Sequence, residues 1–446
     1  MSCLARFLDT LQSYSSLPCI EDKSELHTYG ELWHEMACWR SRFDHLGVEQ
    51  GAVIGVRSDY SLASVAVLLA LLSRRAIAAL IPGDASASSY LTDACASALL
   101  ELDTDGGYEW HSRLEVVNHT LLGRLRDARD GGLVLFTSGS TGRPKAALQS
   151  SERLLRKFRS PGRRFRTLAF LLFDHVAGVD TLLYTLGSGG TLILARHRDP
   201  RSILELIESH RVEVLPTSPS FLRLLCAAEV VGRYDLSSLK IITYGAEPMD
   251  STTLSRLNQR FPGIQISQKY GTTETGSPRS VSRGNDSLWI RFNGDGVEIK
   301  VVENVLWIRS ESTILGYLNA PQPLDGDGWY CTGDLVEVDG EWVKFRGRNT
   351  DIINVGGEKV SPVEVEQVIL ELDFVCDVVV AGEPHPLLGQ VVTARVVLAA
   401  GQMEQREATK RIWLHCRQRL ARYKAPVKVA VNSTGVSNRR QKIKRK

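Results

Sequence analysis

The most constraining feature of this 446-residue chain is a polar loop that directly follows an apolar run at 133–136. The loop reads Thr137, Ser138, Gly139, Ser140, Thr141, Gly142, Arg143, Pro144 and Lys145. Its two glycines allow a tight turn in which backbone amides point inward, a geometry that binds anions. Its four hydroxyls add hydrogen-bond donors, and its arginine and lysine add positive charge. This combination predicts a loop that holds a polyphosphate at the end of a buried strand.

The loop differs from the commonest phosphate-binding motif. A GxxxxGK[ST] loop requires Gly-Lys followed by Ser or Thr, whereas Pro144 precedes Lys145 here and Ala146 follows it. Runs of Gly, Ser and Thr also occur in plain surface turns. Because nearly every position is small, hydroxylic or cationic, we favour a nucleotide phosphate as the ligand, held on a fold other than the Walker type.

The loop resembles the TSG[ST]TGxPKG signature of the adenylate-forming superfamily, which contains acyl- and aryl-CoA synthetases, peptide-synthetase adenylation domains and beetle luciferases. The match runs through Lys145 and departs at Ala146, where the family usually has Gly. Five more segments resemble family motifs in the same order across nearly the whole chain. The resemblance implies an α/β fold. A large N-terminal domain of several subdomains, one of them small and β-rich, would precede a smaller, mobile α+β C-terminal domain.

Composition argues against several other classes of function. The formal net charge of +3 is too small to predict a nucleic acid or an acidic membrane as a partner. The eight cysteines lack CxxC spacing, which argues against a zinc site and fits a reduced, cytoplasmic chain. The N-terminus lacks the apolar core of a signal peptide. The apolar stretch at 62–82 is interrupted by Arg74 and Arg75, so it predicts a buried helix and strand rather than a membrane span.

The order of predicted elements indicates a large α/β domain. Thr28 and Glu31 form a capping-box pattern at the start of a helix. Strand–helix–strand patterns follow at 51–81 and continue from 168 to 243. The intervening segment, 84–130, is polar, weakly patterned and shorter than in the resembled family. We therefore expect part of a sheet to be reduced or lost there.

The pattern changes twice in the last third of the chain. Short strands with Gly, Asp and Asn turns at 288–341 predict a small β-rich subdomain, and a compact αβ segment comes after it. We therefore predict two domains, at 1–348 and 349–446, with a hinge near 349–351. The hinge position often carries Asp or Lys in the family, and its assignment stays open here between Thr350 and Asp351.

Two segments resemble family motifs that surround the adenine of ATP. The first is the turn Tyr244-Gly245-Ala246-Glu247-Pro248, which alone reads as a plain strand-to-helix connection. The second is Gln268-Lys269-Tyr270-Gly271-Thr272-Thr273-Glu274, which matches the YGxTE motif in full. The resemblance implies that Gln268 reads an adenine edge and that Tyr270 stacks on the base. It also implies that Thr273 donates to the α-phosphate and that Glu274 ligates Mg²⁺, which would bridge the ATP phosphates.

Two further segments resemble the ribose-binding and hinge motifs. Residues 328–334 resemble GWxxTGD, in which the Asp334 carboxylate would accept hydrogen bonds from both ribose hydroxyls. In the next motif, Arg348 would also contact the ribose. Gly356 and Gly357 form a loop free of side chains, and in the family this loop swings in to line the channel for a pantetheine arm.

The basic C-terminal tail resembles the TGKIxR motif of the family. Lys442 falls on the position of the catalytic lysine, which contacts the substrate carboxylate, the ribose and the phosphate during adenylation. Gln441 stands where the family usually has Gly, which can adopt a positive φ at little cost. By composition alone, the tail could instead be a solvated basic end. Since the sequence stops four residues after Lys442, we expect a free-standing enzyme.

The segment that follows the strand at 168–172 bears on the acid substrate. Peptide-synthetase domains typically carry an FDxS motif whose Asp pairs with a substrate amino group, and Asp174 partly fits it. His175 and Gly178 instead fit the HxxG motif of acyl- and aryl-CoA synthetases. We therefore favour an aryl or acyl acid without an α-amino group. Asp174, His175 and Gly178 would contact it, and Asp174 remains available to an amino or hydroxyl group of the acid.

The resemblance implies a ligase that works in two half-reactions. ATP and a carboxylate would give an acyl-adenylate and pyrophosphate, and the thiol of CoA or of a carrier protein's phosphopantetheine would then release AMP. Two alternatives stay open: an amino-acid adenylation enzyme that loads a carrier protein, and a nucleotide-binding relative impaired in catalysis. Ala146, Thr350 and Gln441 motivate the last alternative. Against it, the charged residues that the chemistry needs are retained: Lys145, Glu274, Asp334, Arg348 and Lys442.

Overall fold

The computed structural model describes residues 1–23, 25–83, 86–103, 106–113, 118–137, 143–228, 231–294, 296–399 and 403–432. Within these ranges the chain forms twelve α-helices and twenty-five β-strands. The helices are α1 Cys3–Ser13, α2 Tyr29–His45, α3 Leu62–Ser73, α4 Ala87–Asp93, α5 Thr120–Asp127, α6 Ser151–Leu155, α7 Val176–Gly187, α8 Pro200–Ser209, α9 Pro219–Ala227, α10 Ser251–Arg260, α11 Pro362–Leu370 and α12 Gln405–Arg419. The strands are β1 Pro18–Asp22, β2 Glu25–Thr28, β3 Val53–Arg57, β4 Ile77–Leu80, β5 Ala98–Leu102, β6 Tyr108–Ser112, β7 Gly132–Thr137, β8 Lys145–Ser150, β9 Arg166–Ala169, β10 Thr191–Leu194, β11 Val214–Thr217, β12 Ile241–Tyr244, β13 Gln265–Gln268, β14 Ser280–Ser282, β15 Trp289–Phe292, β16 Val297–Val302, β17 Val305–Ser310, β18 Gly316–Tyr317, β19 Tyr330–Asp339, β20 Trp342–Arg348, β21 Ile353–Val355, β22 Glu358–Val360, β23 Val375–His385, β24 Gly389–Leu398 and β25 Lys428–Asn432.

Two seven-stranded sheets form the frame of the large domain. The first sheet has the order β13-β12-β11-β9-β10-β1-β2, and its strands pair in parallel except for β2 at the edge. The second has the order β18-β8-β7-β4-β3-β5-β6, with a parallel centre and antiparallel strands at both edges. The alternation of strands and helices in the sequence predicts this arrangement, because parallel strands need helical crossovers.

The two sheets share one hydrophobic core. Helix α3 is apolar on all sides and is buried from 64 to 72, as expected for a helix enclosed by other elements. The hydrophobic core around α3 also contains Ile20 and Leu192 of the first sheet and Ile54 and Leu100 of the second. Since burying one leucine or valine side chain stabilises the fold by about 1.5–3 kcal/mol, α3 is a major link between the sheets. None of the helices within the described ranges is long and apolar enough to cross a membrane.

Helix α2 begins where the sequence predicts. The Thr28 hydroxyl accepts a hydrogen bond from the Glu31 backbone N–H at 3.2 Å, and the Glu31 carboxylate accepts one from the Thr28 backbone N–H at 2.6 Å. This reciprocal pair satisfies two backbone donors that the first turn leaves without helical partners. The predicted capping box is confirmed.

The polar segment at 84–130 contributes more structure than its composition suggested. Strand β5 pairs in parallel with β3, and β6 extends the second sheet beyond it. Helices α4 and α5 bury Leu91, Leu121 and Leu125 against the same sheet. Strand β5 is only five residues long and contains Glu101, so it is too short for periodicity to reveal it.

The remaining two sheets lie later in the chain. Strands β14 to β17, β19 and β20 form a six-stranded antiparallel sheet, in agreement with the predicted β-rich subdomain. The last sheet, β22-β21-β24-β23 with β25 paired to β24, belongs to the smaller C-terminal domain. Its core is shared with helices α11 and α12. The domain boundary near 349 and the hinge remain predictions.

Candidate active site

Several predicted site residues follow the carboxyl ends of parallel strands in the first sheet. His175 lies beyond β9, Gly245 directly follows β12, and Tyr270 follows β13 by two residues. Ligands of parallel α/β sheets bind at this edge, because the loops that leave the strands converge there. The fold therefore brings distant sequence motifs to one side of one sheet.

The predicted polyphosphate loop connects β7 to β8. Its residues Ser138, Gly139, Ser140, Thr141 and Gly142 lie outside the described residues. Thr137 ends β7 and is paired in register with Lys145, the first residue of β8. Near the end of the loop, Arg143 Nε donates to the carboxylate of Asp93 at 3.2 Å, which ties this segment to α4. The strand pair thus fixes both ends of the loop.

The structure explains why Ala146 can replace the family's usual Gly. Ala146 is buried in β8 opposite Phe136, and it is not among the residues with positive φ. A position without positive φ does not require Gly. Asn319 holds this segment in two places: its Oδ1 accepts from the Ala146 N–H at 2.8 Å, and its Nδ2 donates to the Pro144 carbonyl at 2.9 Å.

A chain of contacts connects Lys145 to Glu274. The Lys145 ammonium lies 5.0 Å from the centroid of the Tyr317 ring, within cation–π distance. The Tyr317 hydroxyl donates to Oε1 of Glu274 at 2.6 Å. Burial and the Glu274 charge raise the pKa of Tyr317, so this hydroxyl keeps its proton and remains a donor. Glu274 is only 7% exposed, and the adjacent Thr273 is also buried.

Tyr330 lies within electrostatic reach of both Glu274 and Asp334. Burial and the charge of Glu274 raise the pKa of Tyr330, and Asp334 adds to the effect. Asp334 accepts from the Tyr270 hydroxyl at 2.6 Å and from Arg348 Nε at 3.1 Å. Burial raises the pKa of Asp334, while Arg348 and Tyr270 counteract this rise. The residues predicted for phosphate, metal and ribose thus form one connected set. We call it the nucleotide cluster: Lys145, Tyr317, Glu274, Tyr330, Asp334, Arg348 and Tyr270.

The Tyr270 ring has two aromatic neighbours. It stacks on Phe345 with the ring centroids 4.5 Å apart and an interplanar angle of 10°, and it meets Phe292 edge-to-face at 5.7 Å. The face that stacks on Phe345 is therefore closed to a base. The next residue, Gly271, is in a tight turn, where a Cβ would lie 2.7 Å from the Gly276 carbonyl oxygen. A larger residue at 271 would therefore displace the tyrosine.

The other residues predicted to contact the adenine are Gly245, Ala246 and Gln268, and each has a different local geometry. A Cβ on Gly245 would lie 2.7 Å from the Lys269 carbonyl oxygen, so the close approach of the two strand ends requires Gly. Ala246 has a left-handed φ of 69°, a conformation that costs free energy outside Gly. Gln268 is buried in β13, and its Oε1 accepts a hydrogen bond from Tyr244 at 3.4 Å. Its amide oxygen is therefore directed at the neighbouring strand.

A cavity of about 570 Å³ opens beside the nucleotide cluster, and we call it the α7 cavity. It lies between α7, the strand ends of the first sheet, and the segments at 157–165 and 267–281. Its wall includes Gly245, and it reaches the cluster at Tyr270. Its volume is typical of a site for a small organic ligand. Apolar and aromatic side chains dominate its walls, including Phe158, Phe165, Phe170, Leu171, Val176 and Tyr184.

One ion pair interrupts the apolar walls of the α7 cavity. Lys157 forms a salt bridge with Asp180 and also donates to the Ser277 carbonyl oxygen at 2.9 Å. Burial and the charges of Arg279 and Lys269 lower the pKa of Lys157 to about 7. The adjacent Asp180 carboxylate favours the charged form of the lysine and so opposes this shift.

The three predicted substrate residues are placed differently from one another. His175 lines the α7 cavity and caps α7, where its Nδ1 accepts from the Ala177 N–H at 3.3 Å. Asp174 is buried and is not among the described residues of the cavity wall. Gly178 is not among them either. A Cβ there would approach the Leu172 carbonyl oxygen to 1.9 Å, so this glycine allows α7 to pack on the preceding chain.

The predicted pantetheine loop forms a hairpin turn in the small domain. Gly356 and Gly357 connect β21 and β22 with φ values of 60° and 94°, the pattern of a two-residue turn in which both positions favour Gly. A Cβ on Gly357 would meet open space, so the turn is exposed in this arrangement of the domains. Lys442 lies outside the described residues.

A buried ion cluster connects the turn at 244–248, which is predicted to lie beside the adenine and is called the adenine turn, to the small domain. Glu247 accepts hydrogen bonds from the Ser220 backbone N–H at 3.1 Å and its hydroxyl at 2.6 Å, and Arg223 donates to that hydroxyl at 3.0 Å. Arg223 Nε also donates to Asp377 of β23 at 3.0 Å, and Asp250 lies 3.7 Å away. These carboxylates raise the pKa of Arg223, although burial of the guanidinium acts to lower it. Glu247, predicted to bind the nucleotide, therefore faces the interface between the domains.

Sequence reasoning missed several side chains of this region. Tyr317, Asn319, Lys157 and Asp180 belong to no motif that we identified. Tyr317 and Asn319 sit near β18, a strand of only two residues. Lys157 lies in a short 3₁₀ helix that follows α6, and Asp180 is the only charged residue of α7. This charged position on α7 was the only available signal, since buried charges are uncommon unless paired.

Two family models cover most of the chain. The first, described as AMP-binding enzyme, matches residues 7–318, and the second, described as AMP-binding enzyme C-terminal domain, matches residues 364–441. Among relatives, 4-coumarate–CoA ligase-like 9 of Arabidopsis thaliana is 27% identical over 61% of this chain and 54% of that protein. The putative acyl–CoA ligase YdaB of Bacillus subtilis is 26% identical over 77% of this chain and 73% of that protein. The match thus spans about half the length of the plant ligase.

Solved structures agree on the fold. The anthranilate CoA ligase AuaEII, in complex with anthranoyl-AMP, superposes with a TM-score of 0.83 at 19% identity, over 99% of this chain and 95% of that one. ATP-bound MatB from Rhodopseudomonas palustris gives a TM-score of 0.84 at 21% identity, over 99% and 97%. The two family models match the chain in the same order as its motifs, its two large sheets and its smaller C-terminal domain. The chain therefore belongs to the AMP-binding enzyme family.

Proposed function

We propose that this protein activates a carboxylic acid with ATP, forms an acyl-adenylate, and transfers the acyl group to a thiol. The observation that supports this most is the nucleotide cluster beside the α7 cavity. Lys145 and Glu274 come from segments far apart in sequence, yet both contact Tyr317. Tyr330 lies within electrostatic reach of Glu274 and of Asp334, which the Tyr270 hydroxyl holds. Side chains that can hold phosphates and a ribose, beside a cavity of the size of a small organic acid, are what adenylation needs.

The first half-reaction joins the acid to AMP. A substrate carboxylate oxygen attacks the α-phosphorus of ATP, and the bond to the β-phosphate oxygen breaks to release pyrophosphate. Catalysis of such a step rests on positioning and charge neutralisation. Lys145 and the loop before it would hold the phosphates, Thr273 would donate to the α-phosphate, and Asp334 would bind the ribose hydroxyls.

The residues present fit a magnesium ion at Glu274. Mg²⁺ is usually held by one or two carboxylates together with substrate phosphates, and Glu274 is a buried carboxylate beside Lys145 and Tyr317. When bound, the ion would neutralise phosphate charge. Tyr317 donates to one oxygen of Glu274, which orients the carboxylate.

The second half-reaction needs a different arrangement of the domains. The Gly356–Gly357 turn, proposed to line the channel for the thiol arm, is exposed here. We propose that the small domain turns about Thr350 or Asp351, withdraws Lys442 and brings this turn to the adenylate. The thiol then attacks the acyl carbon, and AMP leaves. The acceptor is CoA or the phosphopantetheine of a carrier protein.

The α7 cavity favours an acid without an α-amino group. Asp174, which would pair with such an amino group, is buried outside the described cavity wall. The one carboxylate on the described cavity wall, Asp180, is already paired with Lys157. Acyl- and aryl-CoA ligases among the relatives agree with this choice.

Exchange of labelled pyrophosphate into ATP, run over a panel of aryl, fatty, dicarboxylic and amino acids, tests the proposal. We expect exchange that depends on an aryl or acyl acid, and AMP release when CoA is added. Exchange with α-amino acids alone would support the carrier-loading alternative. An absence of exchange with every acid, in a protein that still binds ATP, would favour a nucleotide-binding relative without turnover.

A further inference from the structure

Lys157 contacts the end of the turn that carries two residues predicted to bind ATP. Its ammonium donates to the Ser277 carbonyl oxygen at 2.9 Å, and among the described residues this carbonyl accepts from Lys157 alone. In the reverse direction, Arg279 Nη2 donates to the backbone carbonyl of Lys157 at 2.6 Å. Glu274 and Thr273 lie three and four residues before Ser277. The two reciprocal contacts therefore join the segment of the lysine to the end of this turn.

A different segment holds the middle of the same turn. The Ser312 hydroxyl donates to the Thr275 carbonyl oxygen at 2.8 Å, and the Ile314 N–H donates to the Glu274 carbonyl oxygen at 2.9 Å. All four of these residues are buried. Lys157 thus holds the part of the turn that these contacts do not reach.

Asp180 of α7 fixes the Lys157 ammonium in turn. The two side chains form a salt bridge, and only 17% of the lysine and 27% of the aspartate are exposed. The other charged groups that act on the lysine are the cations Arg279 and Lys269, so Asp180 supplies the charge that favours an ammonium there. Helix α7 therefore holds the lysine, and the lysine holds the turn.

We propose that Lys157 is a positioning residue for adenylation, which acts through Ser277 on the turn that binds the phosphates of ATP. That turn presents Thr273 and Glu274, the residues proposed for the α-phosphate and Mg²⁺. The inference rests on the function proposed above and assigns this lysine to its first half-reaction. Lys157 also lines the α7 cavity, but its loss should weaken ATP binding even when no acid is present. A residue that only lines an acid cavity has no such effect.

The main measurement is calorimetric binding of ATP with Mg²⁺ in the absence of any acid. Lys157→Met keeps an unbranched side chain and removes the donor to Ser277. Because this variant loses a hydrogen bond from a charged group, we expect binding weaker by roughly 3- to 10-fold. In pyrophosphate exchange, misplaced phosphate ligands should lower kcat by roughly 10- to 100-fold with every acid alike. The KM for the acid should change less than kcat.

Two further variants separate positioning from loss of folding. Lys157→Arg keeps the charge and the N–H donors, and it should restore most of the ATP binding. The double variant Lys157→Met with Asp180→Leu leaves no unpaired buried charge, and it should still show the full loss. Tyr184→Phe changes another polar side chain of the same cavity wall. It is the matched control and should leave ATP binding unchanged.

The pH dependence adds a readout that a purely structural role would not give. Burial and the two neighbouring cations lower the pKa of Lys157 to about 7, so the ammonium loses its proton, and with it the ion pair to Asp180, as the pH rises through this range. ATP binding by the unchanged enzyme should therefore weaken between about pH 6 and about pH 9. In Lys157→Arg the guanidinium keeps its proton, so binding should vary less, while titration of ATP itself affects both proteins alike.

The outcomes separate this inference from the proposed function. Unchanged ATP binding in Lys157→Met and in the double variant overturns the inference and leaves adenylation intact. Binding by Lys157→Arg that is as weak as that of Lys157→Met overturns it as well. Absence of exchange with every acid, in a protein whose ATP binding still depends on Lys157, overturns the proposed function and retains the positioning role.

Discussion

At the nucleotide cluster, charged and phenolic side chains from several segments contact one another directly, whereas the α7 cavity places one ion pair among apolar walls. Glu274 and Asp334 are each held by a tyrosine hydroxyl at 2.6 Å. By contrast, Lys157 and Asp180 hold mainly each other. In the cluster, a change in one member leaves a buried partner without its hydrogen bond. In the cavity, a side chain can be exchanged if volume and polarity are kept.

This difference separates what is general in the proposed reaction from what is specific. ATP presents the same phosphates and ribose whatever the acid, so the residues that bind it need fixed chemistry and spacing. The acid differs from one ligase to another, so its cavity needs only a suitable shape and one or two polar groups. We therefore expect variants in the cluster to affect all acids alike, and variants in the cavity, apart from those of the Lys157–Asp180 pair, to affect acids according to their substituents.

The largest expected effect is that of Glu274→Gln. The amide keeps the size of the side chain but removes the charge that Mg²⁺ requires. We expect acid-dependent pyrophosphate exchange to fall about 10²- to 10³-fold, by the same factor for every acid. Glu298→Gln, which changes a surface glutamate paired with Arg309, should leave exchange unchanged. A loss confined to some acids would contradict the division between the two regions.

Lys442→Ala tests whether Lys442 acts in the first half-reaction only. We expect acyl-adenylate formation to fall by roughly 10²-fold or more, whereas thioester formation from supplied acyl-adenylate should change little. Single-turnover measurement of each step distinguishes the two. Lys444→Ala, two residues further on, is the control and should affect neither step. Equal losses in both steps would refute the role assigned to Lys442.

Asp377→Asn should have a smaller effect, on the balance between the half-reactions. The change weakens the buried contact from Arg223, and so destabilises the arrangement in which the Gly356–Gly357 turn is exposed. A shift of about 1 kcal/mol in the domain equilibrium corresponds to about a fivefold change in the ratio of the two rates. We expect adenylation to slow relative to thioester formation.

The exposed contact at the same interface supplies the control for this prediction. Arg256 pairs with Asp373, whose side chain is 97% exposed. Surface ion pairs contribute about 0–1 kcal/mol, so Arg256→Ala should leave the ratio nearly unchanged. If both variants shift the ratio equally, the buried cluster has no special part in coupling the adenine turn to the small domain.

The same contrast explains what the sequence could predict. The α/β order, the capping box at Thr28 and the members of the cluster that belong to motifs were all available from residue types and spacing. Tyr317 and Asp180 could not be predicted, because the role of each depends on which segments the fold places opposite it. Asp174 shows the converse, since a motif-like pattern singled it out and the structure buries it outside the described cavity wall. Motifs report chemistry that is common to a family, whereas the walls of the α7 cavity depend on which segments the fold brings together.

The smallest expected effect is that of Ala146→Gly, which restores the residue that the family usually has directly after the lysine of the predicted polyphosphate loop. Ala146 lies within β8 and is not among the residues with positive φ, so Gly brings no conformational advantage. It should instead cost about 0.5–1 kcal/mol of unfolding free energy, because Gly loses more backbone entropy on folding. Denaturant unfolding and pyrophosphate exchange measure the two effects, and we expect lower stability with unchanged exchange. A large rise in exchange would mean that the loop before Lys145 needs a backbone freedom that the strand pairing at Ala146 denies it, and the departure would then be a restraint on catalysis rather than a silent change.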